Sequence, residues 1–326
     1  MPRRLTNDLL LGLILLQVLG GVLGWALPVE QAWPLYEMHR TLGVAVLLML
    51  GWKQAIALAS LRKRVKNPTH WDRSILWGSV AGIGVITTLA LGLAWTFNLI
   101  SFDWLWGYSP LNIHVFLGIG LVPFVAFHML KRRRQNAISA PVRSRRALVR
   151  TAGLTLATLA GWQAIQHLAP AIRLPTGSKP VGSFNANAFP AEIWLFDSVP
   201  LLDPGTWRLR VGARDFTLDE LTLQHPPQQV QAVLDCTSGW WSEQVWHGVA
   251  LTDVLRSAGL TADSLAALSV TGHRIVLPLA DMQTAILATH VGGEVLSPGH
   301  GYPLRLIVPG YRGYHWVKWL ASLDSA

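Results

Sequence analysis

Five stretches of apolar residues, 9–27, 39–61, 75–99, 114–130 and 147–167, are long enough or nearly so to carry a helix across a bilayer, whose hydrocarbon core of about 30 Å takes roughly 20 helical residues. Beyond them the pattern changes. A stretch rich in Pro and Gly at 168–182 reads as an extended tether. Short apolar runs then alternate with turn residues at 193–196, 207–211, 230–234, 268–270, 275–277, 305–308 and 317–320, which predicts strands. Helices are expected after Trp246 and after Asp281. The predicted architecture is an all-α transmembrane bundle of five spans over residues 1–167, then an α+β domain over residues 183–326. The second part is long enough to bury a core of its own.

Composition sharpens this picture. Hydrophobic residues make up 51% of the chain and charged ones 14%, outside the ordinary soluble range. Residues 1–167 hold 17 Lys and Arg against 5 Asp and Glu, whereas residues 168–326 hold 10 against 13. The basic excess lies in the segments 61–73 and 131–150; segments 28–38 and 100–113 have no Lys or Arg. By the positive-inside rule the amino terminus and both basic loops are cytoplasmic, and five crossings place the second domain outside, in the periplasm if the membrane is a bacterial inner membrane. Trp33, Tyr36, Trp104, Trp106 and Tyr108 fit an interfacial aromatic belt at the outer ends of the spans. Met1-Pro-Arg-Arg before the first span resembles a signal peptide, but no small-residue cleavage site follows, so a retained helix is expected. Because the basic loops abut spans and the second domain is net acidic, lipids are the expected partners and nucleic acid is excluded.

Ionisable residues inside spans are candidates for function. His39 and His114 open the second and fourth spans and are each followed at the same offset by Leu-Gly, Leu42-Gly43 and Leu117-Gly118. The two spans run in the same direction, so both imidazoles lie near the outer face. Facing each other in a bundle, with glycines giving room for a flat macrocycle, they make a bis-histidine haem b site. His128 lies on nearly the same face as His114 and about 21 Å deeper at 1.5 Å per residue. This resembles the membrane cytochrome b pattern of two stacked haems, but the matching place on the second span is Lys53. His128 is therefore either a ligand of a second haem or a cap before Lys131.

Cys236 is the only cysteine. It can make no intrachain disulfide, and the ordinary reading of such a residue is a small buried hydrophobe. Its surroundings point elsewhere: it ends a strand-like run and precedes the turn Thr237-Ser238-Gly239, a place from which a thiolate can ligate a soft metal.

The segment 233–255, VLDCTSGWWSEQVWHGVALTDVL, resembles the cysteine loop of the sulfite oxidase family of molybdenum enzymes, a Cys followed by S/G-G-W, then W-x-G-V-x-L and a short helix. Residues 287–320, LATHVGGEVLSPGHGYPLRLIVPGYRGYHWVKWL, resemble the family's G-x-x-L-x-x-x-H-G-x-P-x-R and P-G-x-x-G-x-x-x-V-K-W motifs. The likeness covers about residues 180–326. It implies a molybdenum–molybdopterin cofactor with Cys236 as the protein's sulfur ligand, Ser238 and Gly239 in the loop that carries it, and His300, Arg305 and Lys318 as cofactor contacts. Residues 184–190 resemble F-x-R-N-x-x-P, with Ala186 where sulfite oxidisers have arginine, while Asn187 is kept and is expected to line the pocket. A second family arginine is replaced by His315. Bidentate arginines hold sulfate-sized oxyanions, so their absence argues against sulfite.

Arg145-Arg146 before the fifth apolar run resembles a twin-arginine export signal placed inside the chain, or else holds that loop in the cytoplasm. A cofactor inserted in the cytoplasm requires its domain to cross the membrane folded, which favours the export reading. The combined expectation is a membrane-anchored molybdenum oxidoreductase that removes oxygen from an S- or N-oxide, fed by quinol through haem b, with Cys236, Asn187 and His315 at the reacting centre. A sulfite dehydrogenase running electrons to the membrane, and a non-catalytic membrane cytochrome with a degenerate outer domain, are the alternatives.

Overall fold

A computed structural model of the chain describes residues 3–66, 74–100, 108–134, 145–169, 173–193 and 197–326. The interfacial Trp104 and Trp106, most of the strand expected at 193–196 and much of the basic loops at 61–73 and 131–150 lie outside these residues. The chain divides into two compact units, residues 1–27 with 31–177, and residues 28–30 with 178–326.

The first unit is built from five helices: α1 Arg3–Ala26, α2 Val29–Lys66, α3 Ser74–Thr96, α4 Pro110–Arg134 and α5 Arg145–Leu168. Helices satisfy every backbone polar group internally, which is the condition for crossing lipid. Among the described residues, four segments are long and apolar enough to do so: Leu5–Gly24, Val29–Ala59, Trp77–Thr96 and Pro110–His128. α5 is not among them, because Gln163, Gln166 and His167 polarise its last turns. Neighbouring helices meet through small residues, as membrane helices do. A Cβ on Gly84 of α3 would overlap Leu121 of α4, and one on Gly161 of α5 would stand 3.0 Å from Val44 of α2. The loop expected at 28–38 is mostly helix. Pro28 separates α1 from α2, and Glu30 sits in the first turn of α2 where a negative charge complements the helix dipole. His39 therefore lies well inside α2 and not at its start.

The second unit contains two sheets. In the six-stranded one, β5 (Trp240–Ala250) is central: it pairs in parallel with β1 (Lys179–Pro180) and antiparallel with β4 (Pro227–Asp235) and β8 (Ile286–Val291), while β10 (Arg305–Ile307) and β9 (Glu294–Val295) pair with β8. The five-stranded sheet runs β3 (Arg214–Phe216), β2 (Leu209–Val211), β11 (Leu320–Ser325), β6 (Ser264–Ser269), β7 (Arg274–Pro278). Leu209, Val211, Phe216, Leu265, Ala267 and Leu323 form its buried layer. Two short helices complete the unit. α6 (Leu218–Gln224) starts with a reciprocal capping box between Thr217 and Glu220, and α7 (Leu251–Ala258), the helix expected after Trp246, ends on Gly259 in the left-handed conformation.

Two sequence expectations fail here. The helix expected after Asp281 is a single 3-10 turn, Leu279–Met282, followed by strand β8. Ala285, Ile286, Leu287 and Ala288 are buried without the alternation that marks an exposed strand, because β8 lies between β5 and β10, and a short apolar run cannot be told from a helix by periodicity. The strand expected at 317–320 begins only at Leu320, since Trp319 takes a positive φ of 50° and ends the turn that carries Lys318.

Candidate molybdenum site and paired histidines

β4 and β5 are joined by a tight hairpin with Cys236 at its base. The Gly239 amide donates to the Cys236 carbonyl at 3.1 Å, the Cys236 amide donates to the Trp240 carbonyl at 2.8 Å, and Gly239 takes the φ of +94° that such a turn requires. The Cys236 thiol is free and half-buried. Ser238 is buried, and its side chain hydrogen-bonds the Glu192 carboxylate, which also accepts from Trp240 Nε1 at 3.4 Å.

Two cations belong to the same cluster. Lys318 Nζ donates to the carbonyls of Glu192 (2.6 Å) and Gly299 (2.8 Å); Arg305 Nη1 donates to the His300 carbonyl (3.1 Å), and its guanidinium lies over the Trp246 ring. Among the described residues neither cation forms an ion pair, and Arg305 Nε is buried without a partner. Burial, with Arg305 adding its repulsion, pushes the Lys318 ammonium down to about 7; burial pushes Arg305 down to about 10. Burial, then the neighbouring Glu192, pushes the Cys236 thiol up to about 11. Burial likewise raises the Glu192 carboxyl above its ordinary range. Beside the Glu192 carboxyl, the protein has thus placed two positive groups that form no ion pair among the described residues and one neutral thiol in a poorly hydrated cradle. An anion bearing a thiophilic metal satisfies all three, because a metal-bound thiol is deprotonated outright and an anion restores the charge of both cations. The donor set fits a phosphate-bearing pterin dithiolene with molybdenum on Cys236.

The other residues expected at this site have well-defined places. His300 is buried with both ring nitrogens engaged, Nδ1 with Ser297 Oγ at 2.6 Å and Nε2 with the Phe189 carbonyl at 2.8 Å, and its ring stands 4.2 Å from that of Phe189. Its side chain braces the cradle, and its own carbonyl holds Arg305. Asn187 donates to the Val295 carbonyl and the Glu294 carboxylate and accepts from the Ser297 amide, so its amide ties the turn at residues 186–188 to β9. His315 lies in the turn Gly313–His315, edge-on to Tyr311 and Tyr314, with Nδ1 buried and unpartnered. That turn lies over the hairpin: a Cβ on Gly313 would be 3.5 Å from Cys236 Cα. Burial depresses His315 and His300 to about 4 each, so both are neutral at physiological pH. Glu192, Asp235 and Arg312 also belong to the site and were not singled out from sequence. The signals were present: an acid inside the apolar FPAEIW, and an arginine inside the quoted PGYRGYHW block.

In the first unit His39 and His114 come together, with ring centroids 6.0 Å apart and ring planes at 76°. His39 Nδ1 pairs with the Gln17 carbonyl of α1 at 2.8 Å and His114 Nδ1 with the Thr88 carbonyl of α3 at 2.7 Å. Such a bond puts the proton on Nδ1 and leaves Nε2 with its lone pair free. The glycines that admit these rings are Gly21 and Gly92 on the adjacent helices, where a Cβ would stand 3.3 and 3.1 Å from the imidazoles, and not the Gly43 and Gly118 of the sequence pattern. His128 lies against Gly78 of α3, while Lys53 Nζ donates to Asn7 Oδ1 of α1 at 2.5 Å.

Comparison with known proteins agrees with the second unit's geometry. Residues 196–325 match the oxidoreductase molybdopterin binding domain family. The chain is 29% identical over 166 residues to an NADH nitrate reductase of Brassica napus, covering 38% of this chain and 18% of that protein. It is 30% identical over 144 residues to the NADH nitrate reductase of Spinacia oleracea, covering 33% and 16%. It thus spans less than a fifth of the length of these relatives. A solved structure, the sulfane dehydrogenase SoxCD of Paracoccus pantotrophus, aligns at 27% identity over 39% of each chain with a TM-score of 0.37. Residues 196–325 therefore constitute a molybdopterin-binding oxidoreductase domain of the sulfite oxidase family.

Proposed function

We propose that the chain is a membrane-anchored enzyme that reduces an S- or N-oxide with electrons drawn from the quinone pool through a haem b. The observation that carries the molybdenum part is the cradle itself, a free thiol beside two buried cations that form no ion pair among the described residues. Arg305 and Lys318 would hold the pterin phosphate, and the Cys236 hairpin would present its sulfur to the metal. Bound there, the cofactor supplies two-electron oxygen-atom exchange. His315, neutral and with an open ring nitrogen, would hydrogen-bond the oxide oxygen. The balance is oxide plus two electrons and two protons to the reduced compound plus water, with one quinol oxidised to quinone per turnover.

The haem reading rests on the paired imidazoles. His39 and His114, with ring centroids 6.0 Å apart and each Nδ1 engaged by a backbone carbonyl of a neighbouring helix, would hold the haem iron through their free Nε2 atoms. A second haem on His128 has no comparable support. The absence of the two oxyanion arginines favours the reductive direction over a sulfite dehydrogenase.

The test is metal, pterin and pyridine-haem analysis of the purified chain, followed by turnover. Wild-type protein is expected to contain molybdenum and haem, and candidate oxides should re-oxidise pre-reduced haem. Cys236→Ser should abolish that re-oxidation with the haem spectrum unchanged. Retained turnover in that variant sinks the ligand assignment. Haem without molybdenum supports a membrane cytochrome with a non-catalytic outer domain, and sulfite-dependent haem reduction supports the dehydrogenase.

A further inference from the structure

The residue preceding Cys236 is itself a buried acid. Asp235 Oδ1 accepts from Ser178 Oγ at 2.5 Å and from Arg312 Nη2 at 3.3 Å, and the same Arg312 nitrogen donates to the Cys236 carbonyl at 2.8 Å. The side chains of Asp235 and Arg312 are 3% and 2% exposed. Gly313 lets the two backbones approach: a Cβ there would stand 3.4 Å from the Asp235 carbonyl oxygen and 3.5 Å from Cys236 Cα. Removing two charges from water costs about as much as their attraction returns, so an apolar pair of the same volume would stabilise the fold at least equally well. Stability does not account for this pair. Its geometry does suggest a role, because it fixes two opposite charges and a charge-assisted hydrogen bond at the backbone that carries the sulfur ligand.

We propose that Arg312 and Asp235 are positioning residues for Cys236: the guanidinium, anchored by Asp235, clamps the Cys236 carbonyl, and the pair sets both the direction of the thiolate and the electrostatic potential at the metal it binds. Ser178 anchors the acid in turn. This rests on the reading of Cys236 as the molybdenum ligand.

The experiment uses the full chain loaded with cofactor, in wild-type, Arg312→Met, Asp235→Asn, Arg312→Lys and the double Asp235→Asn/Arg312→Met forms. It reads molybdenum content, the Mo(V) electron paramagnetic resonance spectrum and the molybdenum midpoint potential. Loss of a nearby positive charge disfavours the reduced metal, so Arg312→Met should lower the potential. Asp235→Asn should raise it. The double variant should return towards the wild-type potential but keep an altered Mo(V) spectrum, since the carbonyl clamp is gone. A purely structural role would move both single variants the same way. Where a single variant fails to fold, the double variant, which buries no unpaired charge, and Arg312→Lys decide. Lys should hold the potential and change the spectrum. Unchanged spectra in both, or single variants that shift the potential in the same direction or leave it unmoved, overturn the proposal. Wild-type protein without molybdenum instead overturns the ligand reading beneath it.

Discussion

Lys318 and Arg305 show how a single side chain acquires meaning from its surroundings. In sequence each is a cation in a motif. In the fold each is held by backbone carbonyls and forms no ion pair among the described residues, a state that a bound anion would resolve. Two histidines carry the opposite message. His300 and His315 are held neutral by burial, with folded values of about 4 against an ordinary 6.5. Between those values the unfolded chain binds protons that the folded chain does not, so stability rises with pH through that window and falls on acidification. The thermal midpoint of the purified protein should therefore drop as pH is lowered from about 6.5 towards 4. His315→Gln should flatten that slope. An equal slope in the variant would place the acid sensitivity elsewhere.

At the scale of elements, the hairpin β4–β5 and the helix pairs do the positioning. A strand ending at Asp235, the turn 236–239 and a strand starting at Trp240 hold Cys236 at the end of the β4–β5 ladder of backbone hydrogen bonds. The turn residues were legible in the sequence. The length of β5 was not: no strand was expected over 240–250, where tryptophans, polar residues and Gly248 mix, and its extent emerges only from pairing with β1, β4 and β8. In the helical unit the histidines were legible from their spacing, but the glycines that accommodate them lie on α1 and α3, one helix away from each histidine. Gly92→Leu should displace His114, at a cost of about 1–3 kcal/mol for overpacking. Haem content should collapse with molybdenum retained, as read by pyridine-haem and metal analysis. Full haem in that variant would remove His114 as a ligand.

For the molecule as a whole, the decisive quantity is the number of crossings: with the amino terminus in the cytoplasm, as expected from the basic segments, an odd count would export the second unit and an even count would not. Four helices meet the length and hydropathy needed. α5, at about 36 Å for 24 residues, packs one face on α2 through Gly161 and Trp162, while Leu148, Leu156 and Leu159 on the rest of its surface are 71%, 68% and 51% exposed. An apolar surface of that kind suits lipid better than water, as the fifth span expected from the sequence would require. An epitope fused after Ala326 should be reached by antibody in intact spheroplasts. Protection in intact spheroplasts, with exposure only after lysis, would put the oxidoreductase domain in the cytosol.

Long apolar runs, a lone cysteine before a turn, two histidines with matching neighbours and two motif blocks are local facts, and they determined the two-part organisation and the class of chemistry without any coordinates. Burial and charge compensation are not local. Arg312 reaches the Cys236 carbonyl across 76 positions, and Lys318 reaches Glu192 across 126. Only folding decides which polar groups lose water together and which remain without a counter-charge. For that reason only the tertiary structure could engage both ring nitrogens of His300 and the Asn187 amide in local hydrogen bonds, leave Arg305 and Lys318 outside any ion pair among the described residues, and bring a buried ion pair beside Cys236.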